Sequence, residues 1–120
     1  MTPELRSIWS PDLPDGELPS DPTKVWVGVQ AEIGAHGSHG ADTFSLIVAT
    51  PLALTDGGFP RWGHGLLLVE SFSWSMVRAA LEKVLRHCEA EDWDGIAAKI
   101  GRYLDWEFDD YVEFAPGPGV

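Results

Sequence analysis

The stretch Leu66–Cys88, LLLVESFSWSMVRAALEKVLRHC, changes its hydrophobic period at Ser73, and that change decides the fold. Before it, Leu66–Phe72 (LLLVESF) is an apolar run of strand length. After it, Trp74, Val77, Leu81, Val84 and Cys88 recur at spacings of three and four, with Ala80 and Leu85 beside them. That is the stripe of an amphipathic helix. Ser73 stands where a hydroxyl accepts one of the backbone N–H groups that a first helical turn leaves unpaired.

Upstream of this switch the chain reads as strands. Leu5, Ile8 and Trp9 mark a short strand closed by Ser10-Pro11-Asp12. Residues 11–23 form an ordered Pro-rich loop, because proline fixes φ and removes backbone donors. In Lys24–Ile33 (KVWVGVQAEI), Val25, Val27, Val29, Ala31 and Ile33 fall on one face, and Lys24, Trp26, Gln30 and Glu32 on the other. Such alternation is a strand with one face in the core. Gly34–Gly40 (GAHGSHG) is a flexible turn, and Thr43–Thr50 (TFSLIVAT) the returning arm of a hairpin stopped by Pro51. Leu52–Gly65 reads as irregular.

Downstream, Asp92 is an N-cap type opening a second helix. Its stripe of Trp93, Ile96, Ala97, Ile100, Tyr103 and Leu104 extends to Glu107 and Phe108. Asp92 and Asp94 suit the positive end of the helix dipole, while Gly95 and Gly101 each weaken the helix by roughly 1 kcal/mol relative to alanine. Strands before helices predict an α+β fold: an antiparallel sheet of about four strands followed by two C-terminal helices packed on one face. At 120 residues a single domain over 1–120 is expected, with the sheet over 24–72, the helices over 73–111 and a tail over 112–120.

Charge excludes several functions. Lys plus Arg number 8 against 19 Asp plus Glu, for a net charge of −11. Nucleic-acid binding needs a basic footprint that this chain lacks, and an anionic membrane surface is disfavoured for the same reason. A basic protein is the partner class most easily admitted. Residues 1–23 carry −4, residues 24–88 are neutral and residues 89–120 carry −7, so both ends are acidic. Glu91, Asp94, Asp109, Asp110 and Glu113 are therefore candidate partner-binding residues. In WEFDDYVE, residues 106–113, alternation would turn Trp106, Phe108 and Tyr111 inward and hold the carboxylates outward in a row. No apolar run approaches the ~20 residues of a membrane span. The N-terminus, MTPELRSIWSPD, lacks a secretory pattern, and the lone Cys88 excludes an internal disulfide. A cytoplasmic setting is expected.

Motifs of chemistry are absent. His36 and His39 flank a glycine-rich turn and supply at most two metal ligands, where a site needs three or four. His87 and Cys88 are roughly 100° apart on a helix and do not form a nucleophilic pair. Cys88 continues the apolar stripe and reads as a core residue. Carboxylates are abundant, but acid–base catalysis needs a cleft that perturbs them. No phosphate loop, dinucleotide fingerprint or hydrolase motif occurs. No catalytic residue, metal or cofactor is expected. Of six tryptophans, Trp74, Trp93 and Trp106 lie in or just past helical stripes and read as packing. Trp26, on the polar phase of its strand, and Trp62, in a loop, are candidate interface anchors.

Several pieces occur together in a familiar order. The strand closing on Ser10-Pro11-Asp12 is followed by Gly40-x-Asp42-Thr43-Phe44, entering a strand that ends Thr50-Pro51. Val69-Glu70-x-Phe72 precedes one helix and Trp93-x-x-Ile96-Ala97 opens the next. Trp106-Glu107-Phe108-Asp109-Asp110-Tyr111 closes the series. From about Leu5 to Tyr111 the chain resembles the immunity protein 8 family of bacterial polymorphic toxin systems. It departs from the family pattern in the Gly-rich segment 56–65 and at Gly95. The resemblance implies a non-enzymatic protein that binds a cognate secreted toxin inside the producing cell. It transfers no catalytic or binding residues. An acidic inhibitor suits a basic toxin such as a nuclease. Two rivals stand beside this reading: a non-catalytic acidic assembly module, and a small hydrolase using carboxylates. The sequence leaves the toxin's identity, the contact face and the oligomeric state open.

Overall fold

The computed structural model describes residues 1–57 and 63–108. Trp62, Asp109, Asp110 and Glu113, together with the Tyr111 end of the alternating segment and the 112–120 tail, lie outside the described residues.

Strand β1 (Pro3–Trp9) pairs antiparallel with β2 (Trp26–Ala35), and β2 with β3 (Asp42–Ala49). The valines and isoleucine of β2 are buried on one face, as the alternation predicts, and meet Phe44, Leu46 and Val48 of β3. The ladder slips between Leu5 and Ser7, a bulge that frees Arg6 from the alternation. Arg6 Nη2 then donates to the carbonyls of Ala35 (2.9 Å) and Ser38 (2.7 Å), tying the β2–β3 turn to β1. Gly34 lies under that tie, and a Cβ there would collide with the Gly40 carbonyl and with the Arg6 guanidinium. The loop between β1 and β2 is ordered. Pro14–Gly16 forms a turn of 3-10 helix, Leu13 is buried in the core, and Glu17 O accepts a hydrogen bond from Trp74 Nε1 at 3.0 Å.

The segment after Pro51 departs from expectation. Pro51–Gly57 is a short helix, α1, where an irregular loop was expected. Pro51 both ends β3 and opens α1, since its missing N–H falls where a helix has no partner for one. Thr50 caps the transition. It is fully buried, its hydroxyl accepts from Val25 N (3.0 Å), and its carbonyl accepts from Leu54 N (3.1 Å). The crossover has a topological consequence. A chain that leaves β3 through a helix returns in the same direction, so β4 (Leu66–Leu68) pairs parallel with Ile47–Ala49 in an otherwise antiparallel sheet. Strand β4 stops at Leu68, short of the expected Phe72. Beyond it, Val69 N still bonds Ala49 O but Phe72 N bonds Pro22 O, which steers the chain away from the sheet into the next helix.

Both expected helices form with the expected caps. Helix α2 (Trp74–Leu85) has Ser73 Oγ accepting from Met76 N, and α3 (Trp93–Ile100) has Asp92 accepting from Gly95 N. They bury Val77, Leu81, Leu85, Ile96, Ala97 and Ile100 against one face of the sheet. Trp74, Trp93 and Trp106 pack, partly buried, against that core. Gly95 is a packing glycine: a Cβ would lie 2.9 Å from Ala90 Cβ and 3.1 Å from the capping Asp92 Oδ1.

Helix α3 is shorter than its stripe predicts. It ends at Ile100, and Tyr103 and Phe108 are exposed. The chain then turns extended as β5 (Asp105–Trp106) and pairs antiparallel with Phe44 and Ser45. The β3 edge beyond the short β4 has unpaired backbone groups, and this pairing satisfies them. Among the described residues the sheet therefore has five strands in the order β1-β2-β3-β4, with β5 beside β4 on the β3 edge.

Candidate partner-binding surface

Helices α2 and α3 occupy one face of the sheet, and the opposite face carries the other phase of the strands. Strand register aligns that phase into rows. Trp26, Ala49 and Leu68 form one row, and Gly28, Ile47 and Leu66 the next. Trp9, Gln30, Ser45 and Asp105 form a third, followed by Ser7, Glu32 and Thr43. The face is thus apolar at the Trp26 end and polar to acidic at the Glu32 end. Trp26 is 47% exposed, Trp9 41% and Leu68 55%. Between Trp26 and Leu68, Ala49 is fully buried without belonging to the core cluster, so it floors the apolar half.

The edge of this face is built by Asp12. Strand β1 stops at Trp9, leaving the first half of β2 without a neighbour on that side. Asp12 Oδ2 takes its place by accepting from Gly28 N at 3.0 Å, and Ser10 Oγ holds the turn by accepting from Asp12 N at 3.1 Å. Beyond Trp9 a groove of about 700 Å³ runs round the β1 edge toward Trp74 and Arg78.

Among the described residues, charges near the face are acidic or already paired. Lys24 Nζ lies 2.5 Å from Asp56 Oδ2, and this carboxylate raises the lysine's pKa. His64 Nε2 is 3.3 Å from Asp105 Oδ1. At the far end of β1, Glu4 contacts both His36 Nδ1 and Arg6 Nε at 2.9 Å. The hydrogen bond from His36 lowers the Glu4 pKa most; partial burial opposes it, and the Arg6 charge adds to the lowering. His36 and His39 are exposed, and His36 is engaged with a carboxylate.

Of the residues singled out from sequence, Trp26 is on the open face, and Glu91 and Asp94 are exposed around the start of α3. Trp62, Asp109, Asp110 and Glu113 lie outside the described residues. Of the expected outward row of the acidic ending, Glu107 is exposed and is also tied to β3. Its Oε1 accepts from Thr43 N (2.8 Å) and its N donates to Thr43 O (3.0 Å), so it extends the β3–β5 pairing. Trp106 turns inward as expected, stacked on Phe44 with centroids 6.4 Å apart, whereas Phe108 stands edge-on to Trp106 and stays exposed.

Two features escaped the sequence reading. One is Trp9, counted with an apolar strand but exposed beside the polar phase of β2. The other is Asp42, whose Oδ2 accepts from Trp93 Nε1 (2.6 Å) and from Trp106 Nε1 (3.0 Å). One carboxylate thereby joins β3, α3 and β5. Three residues of the resemblance motifs meet there, far apart in sequence, and only their joint occurrence signalled it.

No constellation for catalysis stands out among the described residues. An apolar cavity of about 200 Å³ lies between β4 and α2, with no carboxylate and no thiol in its lining. Cys88 is buried, which raises its pKa, and its Sγ donates to Val84 O at 3.3 Å. No group of three or more His, Cys, Asp or Glu able to hold a metal occurs among the described residues. No helix among them is long and apolar enough to cross a membrane.

The chain is thus an α+β domain with two capped helices on one side of its sheet and exposed tryptophans and carboxylates on the other. The chain matches the family model of Immunity protein 8 over residues 4–111, and it belongs to that family, whose members are immunity proteins against toxins. No curated protein and no solved structure matches it.

Proposed function

We propose that this chain is a non-enzymatic inhibitor that binds a cognate secreted toxin of a bacterial polymorphic toxin system, one to one, in the cytoplasm of the producing cell. The observation that carries the reading is the family match over residues 4–111. The net charge of −11 supports a basic toxin, such as a nuclease whose own site must attract phosphate. Charge complementarity raises association from ~10⁵–10⁶ to as much as ~10⁸–10⁹ M⁻¹s⁻¹ at low salt. Fast capture matters when one free toxin molecule can do damage. Trp26, Trp62, Glu91, Asp94, Asp109, Asp110 and Glu113 are the proposed partner-binding residues, with the carboxylates acting chiefly on association. Neither a nucleic acid nor a membrane is a partner in this reading, and no cofactor takes part. The test is co-expression with the C-terminal domain of the large protein encoded by the adjacent gene. Rescue of growth, and a 1:1 complex by size exclusion with light scattering, are expected. Killing that is equal with and without this chain would overturn the proposal.

A further inference from the structure

We infer that the face of the sheet opposite the helices is the surface that takes the toxin, with Trp9 and Trp26 as its anchors and Glu32 and Asp105 as its charged side. This rests on the reading of the chain as a toxin inhibitor. Helices α2 and α3 cover one side of β1–β4, and on the other side Trp9, Trp26, Glu32 and Leu68 are exposed among the described residues. Tryptophan is usually largely buried in a folded protein. Here two stand 41% and 47% exposed on the same face, separated by four residues of β2 register and one strand. Along the strand that is about 13 Å, at ~3.3 Å per residue. Indole faces at this spacing accept apolar side chains, and they also accept lysine or arginine stacked over the ring.

Charge commits the occupant to a basic protein. Glu32 makes no ion pair among the described residues, and Asp105, which stands 3.3 Å from His64 Nε2, falls on the same phase of the sheet. The lysine on this phase, Lys24, is already neutralised by Asp56. Basic side chains of a partner would meet carboxylates at one end of the face, and its apolar side chains would meet Trp26 and Leu68 at the other. Size is consistent with a contact core. Four strands at ~4.8 Å spacing and ~20 Å of β2 make roughly 400 Å² in projection. A standard interface takes about 800 Å² per partner. The Asp12 turn and the groove beside Trp9 border the face and extend it.

The experiment measures binding kinetics of purified chain with the toxin domain encoded beside it, at low and high salt. Trp9→Ala plus Trp26→Ala is expected to weaken binding on the order of 100-fold, mainly through dissociation. Glu32→Lys is expected to slow association about tenfold at low salt and little at high salt. Glu82→Lys, a matched charge reversal on the exposed side of α2, is expected to bind close to wild type. Should the tryptophan pair lose cooperative unfolding, Gln30→Lys plus Glu32→Lys reads the same face without removing an apolar side chain. Wild-type binding by either face variant at both salts overturns the inference and leaves the proposed function standing. Failure of the unmodified chain to bind overturns the proposed function itself.

Discussion

The two faces of one sheet obey different rules. On the inner face Val29, Ala31, Ile33, Phe44 and Val48 are fully buried, and each is held by strands beside it and helices above it. On the outer face the same strands present Trp26, Gln30, Glu32 and Thr43 to water or to partial exposure. The inner residues are explained by the fold, because removing any of them leaves a hole. Trp9 and Trp26 are enclosed far less, with 41% and 47% of their surface exposed. The difference teaches where to look for function: on the phase of the alternation that packing does not dictate.

That contrast can be broken by measurement. The largest expected effect is on the inner face. Phe44 is enclosed between Trp93, edge-on at 6.4 Å, and Trp106, stacked at 6.4 Å. Phe44→Ala should lose about 3–5 kcal/mol in urea unfolding, against less than about 1 kcal/mol for Trp26→Ala. Equal losses at the two positions would erase the distinction between the faces. Next comes Asp42→Ala, which strands two indole donors; a loss of about 2–3 kcal/mol is expected, and less for Asp42→Asn, which keeps an acceptor. Gly95→Ala follows. Helix propensity alone would gain about 1 kcal/mol, but the crowding with Ala90 should turn this into a net loss of about 1 kcal/mol. A stabilised Gly95→Ala protein would show that the glycine is not required by packing.

The smallest effect is electrostatic. Glu4 is half-buried, and its pKa in the folded chain lies below the ordinary 4.5 because His36 and Arg6 favour the carboxylate. A depressed folded value means the contribution is present above pH 4.5 and is lost as pH falls through the folded pKa. Glu4→Gln should therefore flatten the acid limb of a stability–pH curve slightly and leave neutral pH nearly unchanged. A variant whose acid limb steepens would contradict the sign.

Most of the fold was legible from two periods. Alternation gave β2 and its buried phase, and the switch at Ser73 placed α2, with Asp92 placing α3. What the sequence hid was set by partners distant along the chain. Helix α1 hides behind Pro51 among glycines, and missing it conceals that β4 runs parallel. The stripe of α3 continues past Ile100 because Leu104 is buried beyond the helix, and only the open β3 edge explains why the chain extends there. The surface was half legible: Trp26 could be read from its phase, but Trp9 needed the register of β1 against Gln30.

The central claim, that the open face of the sheet meets the toxin, is tested most directly by hydroxyl-radical footprinting of the chain alone and in complex with the toxin domain encoded beside it. Trp9 and Trp26 report one side of the molecule, and Met76 (44% exposed) and Tyr103 (52% exposed) report the helix side. The account predicts strong protection of both tryptophans, with Met76 and Tyr103 oxidised as in the free chain. Protection of Met76 and Tyr103 with Trp9 and Trp26 unchanged would contradict it.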